Sequence, residues 1–120
     1  MQYLVELKLS TGSRPNTWAE GREFIESYIF PTLERCKTLA EEKRIIAGGP
    51  QSGAVALSLI VEAATARELD ELITSLPVWP RMDTSVTPLT TFEDRRRSIL
   101  SLLETVKVHA IEKQSVSASR

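Results

Sequence analysis

The stretch Leu76-Pro77-Val78-Trp79-Pro80-Arg81-Met82-Asp83-Thr84-Ser85-Val86-Thr87-Pro88-Leu89-Thr90-Thr91-Phe92 decides the fold. Pro77 and Pro80 cannot continue a helix, so the helical pattern before them stops near Leu76. Alternating residues then predict a strand over 84–91. Pro88 lies inside that strand and has no N–H to give to a ladder, so the strand belongs at a sheet edge or at a bulge.

Upstream, Leu69, Leu72, Ile73 and Leu76 give the i, i+3, i+4, i+7 stripe of a helix packed on a sheet, opened by the capping box Thr65-Ala66-Arg67-Glu68. Before it, 54–62 alternates, with Val55, Leu57, Leu59 and Val61 on one face and the small Ala54, Ala56 and Ser58 on the other. The turn-forming run Gly48-Gly49-Pro50-Gln51-Ser52-Gly53 connects it to a short strand over 43–48. At the start of the chain, 1–10 alternates as a strand, with Tyr3, Val5, Leu7 and Leu9 on its apolar face. Thr17-Trp18-Ala19-Glu20 is a second capping box, and Trp18, Ile25, Ile29, Leu33, Cys36 and Ala40 predict the buried stripe of the helix it opens. Pro31 kinks that helix or splits it in two.

The order strand, helix, strand, strand, helix, strand is the β-α-β-β-α-β arrangement of a ferredoxin-like α+β fold. Its second and fourth strands lie at the edges, where Pro88 has to be. From Glu93 onward the pattern changes. Glu93 and Asp94 precede Arg95, Arg96 and Arg97, and then Ile99, Leu100, Leu102, Leu103 and Val106 predict an extra C-terminal helix with acidic residues at its start. The polar residues 115–120 read as a frayed end. The expected division is therefore a domain over 1–92 and a helical extension over 93–120.

A chain of 120 residues, 42% of them hydrophobic, builds one core. With 15 basic and 16 acidic residues the net charge is -1, without the basic excess that nucleic acid binding requires. The longest apolar stretch, 53–61, is too short to span a membrane, and the N-terminus lacks a basic-then-apolar leader pattern, so a cytoplasmic protein is expected. Cys36 is the only cysteine and His109 the only histidine, which excludes an internal disulfide and leaves no donor set for zinc or haem. His109, beyond the predicted core, reads as a surface residue; Cys36 reads as inert packing.

The window 76–89 resembles the muconolactone isomerase signature, which runs approximately Leu-Pro-(Leu or Val)-(Phe or Trp)-Pro-x-Met-Asp-x-x-Val-Thr-Pro-Leu. The likeness extends more weakly over residues 1–92. It implies a dimeric α+β barrel, two sheets face to face, assembling further into rings, with an activity that needs no metal or organic cofactor. Members of that family typically carry a Leu-x-x-Leu-Trp-Arg type segment with a nearby His, where this chain has Lys43-Arg44-Ile45-Ile46-Ala47-Gly48-Gly49. The Trp and His have no counterpart, and Arg44 alone stands in for the basic residue.

A four-stranded sheet with both helices on one face leaves the other bare, so a homodimer is expected on physical grounds as well. The bare face should carry Leu4, Glu6 and Lys8, Arg44 and Ile46, and Ala54, Ala56, Ser58 and Ile60. Small side chains leave room there for an anionic small molecule. Moving a proton along an allylic lactone needs a base, a donor for the enolate and a clamp for the carboxylate. Glu6 or Glu26 is the candidate base and Tyr28 the donor; Lys8, Arg44, Ser58 and Arg81 are the candidate binding groups. Each has a plainer reading. Glu6 and Lys8 pair or face water, Glu26 is a solvated helix residue, Tyr28 packs on the sheet and Arg81 is a loop charge. Two functions follow: a cofactor-independent isomerase acting on a small lactone or unsaturated acid, or a noncatalytic binding or assembly module on the same barrel. A cofactor-free oxygenase of the same superfamily is a weaker third reading, because no aromatic residue falls on the expected cavity face.

Overall fold

In the computed structural model residues 1–118 are described, with side chains through Ile111. The chain divides into a compact unit, Met1–Leu89, and a second that begins at Thr90. The first runs β1 (Gln2–Leu9), α1 (Trp18–Phe24), a π-helical turn (Ile25–Ile29), α2 (Phe30–Glu41), β2 (Ile45–Pro50), β3 (Ala56–Glu62), α3 (Ala66–Thr74), a 3-10 turn (Trp79–Arg81) and β4 (Met82–Leu89). The second is one long helix, α4 (Phe92–Ala118). It continues through the first part of the end expected to fray, and residues 119 and 120 lie outside the described residues.

The sheet is antiparallel in the order β2-β3-β1-β4. Pro88 sits opposite Tyr3 on the edge strand β4, where its missing N–H costs no interior ladder bond. Both capping boxes form. Thr17 accepts a hydrogen bond from the Glu20 amide and Thr65 from the Glu68 amide, while Glu20 and Glu68 accept in return from the amides of Asn16 and Ala64. At the other end of α3, the Trp79 amide donates to the Leu76 carbonyl and the Val78 amide to Thr32 Oγ1. The proline-rich segment is thereby fixed between helix and strand.

Val5 and Leu7 of β1, Leu57, Leu59 and Val61 of β3, and Leu69, Leu72, Ile73 and Leu76 around α3 form the core, closed by Phe24, Leu39, Val78 and Met82. The helix before β2 differs from expectation in the face it buries. Ile29 and Cys36 of the expected stripe pack on the core, joined by Phe24, Tyr28, Thr32 and Leu39, whereas Trp18 is 97% exposed and Ile25, Leu33 and Ala40 are also open to solvent. Pro31 splits the α-helical run in two as expected: α2 starts at Phe30 with Pro31 in its first turn, and the π turn Ile25–Ile29 joins it to α1, with the Phe30 amide reaching back to the Ile25 carbonyl.

The first hairpin is shifted as well. β2 begins at Ile45 rather than Lys43 and extends through the Gly48-Gly49-Pro50 run expected to be the turn. A bulge between Ile45 and Ala47 displaces the register, Lys43 takes φ 60°, and the reversal falls after Pro50. Gly48 holds φ 101° against Leu59, and a Cβ there would lie 2.0 Å from the Ser58 carbonyl oxygen. Glycine is required at that close approach.

Candidate functional site

Two groups of the residues singled out from the sequence occupy opposite faces of the sheet. On the face opposite α1, α2 and α3, Glu6 of β1 lies between Ser58 and Ser85, Lys8 between Ala56 and Asp83, and Leu4 between Ile60 and Thr87. Glu6 and Ser58 are half-buried and Lys8 is exposed. Ser58 Oγ accepts a 2.9 Å hydrogen bond from Gln51 Nε2, and Ser10 Oγ donates to Asp83 at 2.9 Å. Glu6 and Lys8 form no ion pair with any described residue. A hollow of about 290 Å³ runs along Glu6, Lys8, Asp83 and Ser85. Arg44 is not near it. Its carbonyl accepts from the Glu62 amide, at the far end of β3 from Ala56, roughly 20 Å from Lys8 at about 3.3 Å per strand residue. Arg44 Nε is buried without a hydrogen-bond partner.

On the helix side, Arg81 and Tyr28 come together. The 3-10 turn before β4 aims Arg81 back across α1, where its guanidinium carbon stands 4.8 Å from the centre of the Tyr28 ring and 5.9 Å from that of Phe24. The two rings stack with centroids 5.8 Å apart. Cation–π attraction of about 1 kcal/mol holds the guanidinium in place while leaving its N–H groups unspent. Those groups open on a polar cleft of about 240 Å³, walled by Arg14, Asn16, Glu20, Glu23 and Phe24. Glu20 is occupied by its capping bond to the Asn16 amide at 2.7 Å. Glu26 lies outside the cleft, paired with Arg22 at 2.9 Å on the exposed side of the helix. Glu23, one turn before it, has its carboxylate unpaired among the described residues.

The cleft therefore joins two guanidinium groups with free donors, one free carboxylate and an aromatic wall. Such a set grips a small carboxylate and leaves a base beside it. Of the residues singled out from the sequence, Arg81 lines this cleft and Tyr28 stands against its guanidinium without lining it; Arg14 and Glu23 line it and were not among them. The signal for Glu23 was its position immediately before Phe24, on the turn that leads to Tyr28; Arg14 offered only a charge in a loop. Among the described residues no three His, Cys, Asp or Glu side chains gather as a metal-binding group, and no helix is long and apolar enough to cross a membrane.

Comparison with known proteins fits this architecture. No functionally curated protein matches the sequence. Among solved structures, a muconolactone isomerase is similar at 19% identity with a TM-score of 0.58, over 76% of this chain and 90% of that one. A 5-chloro-2-hydroxyhydroquinone dehydrochlorinase from Burkholderia phenoliruptrix, complexed with 2,5-dihydroxybenzoquinone, is similar at 21% identity with a TM-score of 0.57, over 78% of this chain and 98% of that one. At such identities the likeness establishes the fold. Residues 1–95 match the muconolactone delta-isomerase family pattern, which includes the whole sheet, its helices and the proline-rich segment that delivers Arg81, and it is to this family that the chain belongs.

Proposed function

We propose that the protein is a cofactor-independent isomerase that moves a proton within a small unsaturated acid or lactone, working in the cleft beside Tyr28 and Arg81. The observation that carries this reading is the Arg81 guanidinium, held against two aromatic rings with its donors free, in the same cleft as the unpaired carboxylate of Glu23. Arg14 and Arg81 bind the substrate carboxylate. Glu23 removes a proton from the carbon next to the unsaturated system. The electron pair passes into the conjugated enolate, whose charge the guanidinium groups stabilise. The same carboxylate then returns the proton to the far carbon, so substrate and product differ only in where the double bond lies. Two copies associate through the bare sheet face.

Turnover of muconolactone-like lactones, followed by the loss or gain of conjugated absorbance, tests this. Glu23→Gln should lower kcat by about 10²- to 10⁴-fold with little change in KM, and Arg81→Ala should mainly raise KM. If Glu6→Gln abolishes turnover while Glu23→Gln does not, the base lies on the sheet face instead. Ligand binding without turnover in the unmodified protein would make the chain a noncatalytic binding module.

A further inference from the structure

A second cavity lies on the same side of the sheet as the polar cleft, farther along the same helical rod. Its volume is about 220 Å³, and Ile29, Thr32, Leu33, Val55, Val78 and Met82 form most of its wall. The wall offers almost only carbon. Thr32 is 3% exposed with its hydroxyl oxygen accepting from the Val78 amide, and no charged side chain lines the space. An apolar space of roughly 150 Å³ takes up a benzene ring, so this one accommodates a substituted ring or a short alkyl chain.

Its position relative to the polar cleft gives it meaning. Phe24 walls the polar cleft and Ile29 the apolar cavity; Arg81 lines the first and its neighbour Met82 the second. The Arg81 guanidinium lying over Tyr28 marks the boundary. Phe24 and Thr32 are about two turns apart, roughly 12 Å at about 1.5 Å rise per residue. Cationic donors at one end and an apolar space at the other define an amphipathic ligand. We propose that the substrate class is a monocarboxylate carrying an alkyl or aryl substituent, its carboxylate on Arg14 and Arg81 and its apolar body in the cavity beneath Leu33 and Val55. This rests on the cleft proposed above as the active site, and it separates the chain from enzymes of small, wholly polar lactones.

Calorimetric titration of the full-length protein with straight-chain carboxylates from butanoate to octanoate, each below its aggregation concentration, tests the proposal. Affinity should rise about fourfold per added methylene, at one molecule per chain, as each CH₂ leaves water. Leu33→Trp, at a partly exposed position on the cavity rim, should flatten that gradient, and Arg81→Ala should weaken every member by a similar factor. A flat series in the unmodified protein, or a gradient that survives Leu33→Trp, would overturn the proposal. A gradient without turnover of any lactone leaves the ligand class standing and refutes the isomerase reading; turnover without a gradient does the reverse.

Discussion

Gly48 and Gly49 are neighbours in sequence with opposite tolerances. At Gly48 φ is 101° and an added Cβ meets backbone atoms of Ser58 and Leu59, whereas nothing lies within 4 Å of a Cβ at Gly49. Backbone cannot rotate away as a flexible side chain can. Gly48→Ala should therefore cost more than about 2 kcal/mol in urea unfolding, and Gly49→Ala less than about 1. Equal costs would show that the bulged hairpin relaxes around the new methyl group. Cys36 offers a second residue-scale test. Burial pushes its thiol above the ordinary value of 9.0, with the Arg35 charge partly opposing. The unfolded chain loses this proton at lower pH than the folded one, so stability from this group is intact below the ordinary value and declines as pH rises past it. Alkylation by iodoacetamide at pH 8 should be slower in the folded protein than in urea, and a Cys36→Ala variant should lose less stability between pH 8 and pH 10 than the parent.

At the scale of elements, short-range chemistry and packing decide different things. The capping boxes at Thr17 and Thr65 were legible because they involve only residues three apart. Thr65→Ala removes the acceptor for the Glu68 amide and should cost about 1 kcal/mol, read as a lowered urea midpoint at unchanged slope. A change in slope would mean that α3 is already lost from the native state of the variant. The buried stripe of α3 was equally legible, since Leu69, Leu72 and Ile73 are its only large apolar residues and Leu76 follows just past its end. The helix before β2 was not. Apolar side chains are spread around it, and the π turn at Ile25–Ile29 rotates the later part relative to the earlier, so no regular period of 3.6 selects Phe24, Tyr28, Thr32 and Leu39. β2 was misplaced for a related reason. Gly48-Gly49-Pro50 has the composition of a turn, but an edge strand tolerates a proline, and a bulge tolerates a glycine at positive φ.

For the molecule as a whole, the sheet face opposite α1, α2 and α3 carries Leu4, Glu6, Ser58 and Ile60. On the reading that two copies meet there, Ile60→Arg places an unpaired charge in the centre of the contact. Sedimentation should then show a smaller species with unchanged helix content by circular dichroism. An unchanged sedimentation coefficient would assign self-association to another surface. The sequence by itself determined the order of the elements, the caps, and the edge position of β4, because these depend on backbone chemistry and local periodicity. It also supplied the window around Arg81 by which the family is recognised. Only the tertiary structure decided which charges share a site. Arg44 lies far along the sheet from Lys8 because register, not residue type, sets distance along a strand. Arg81 reaches Tyr28 and opens on Arg14 and Glu23 because the prolines turn the chain back over α1, a long-range meeting that no spacing in the sequence encodes.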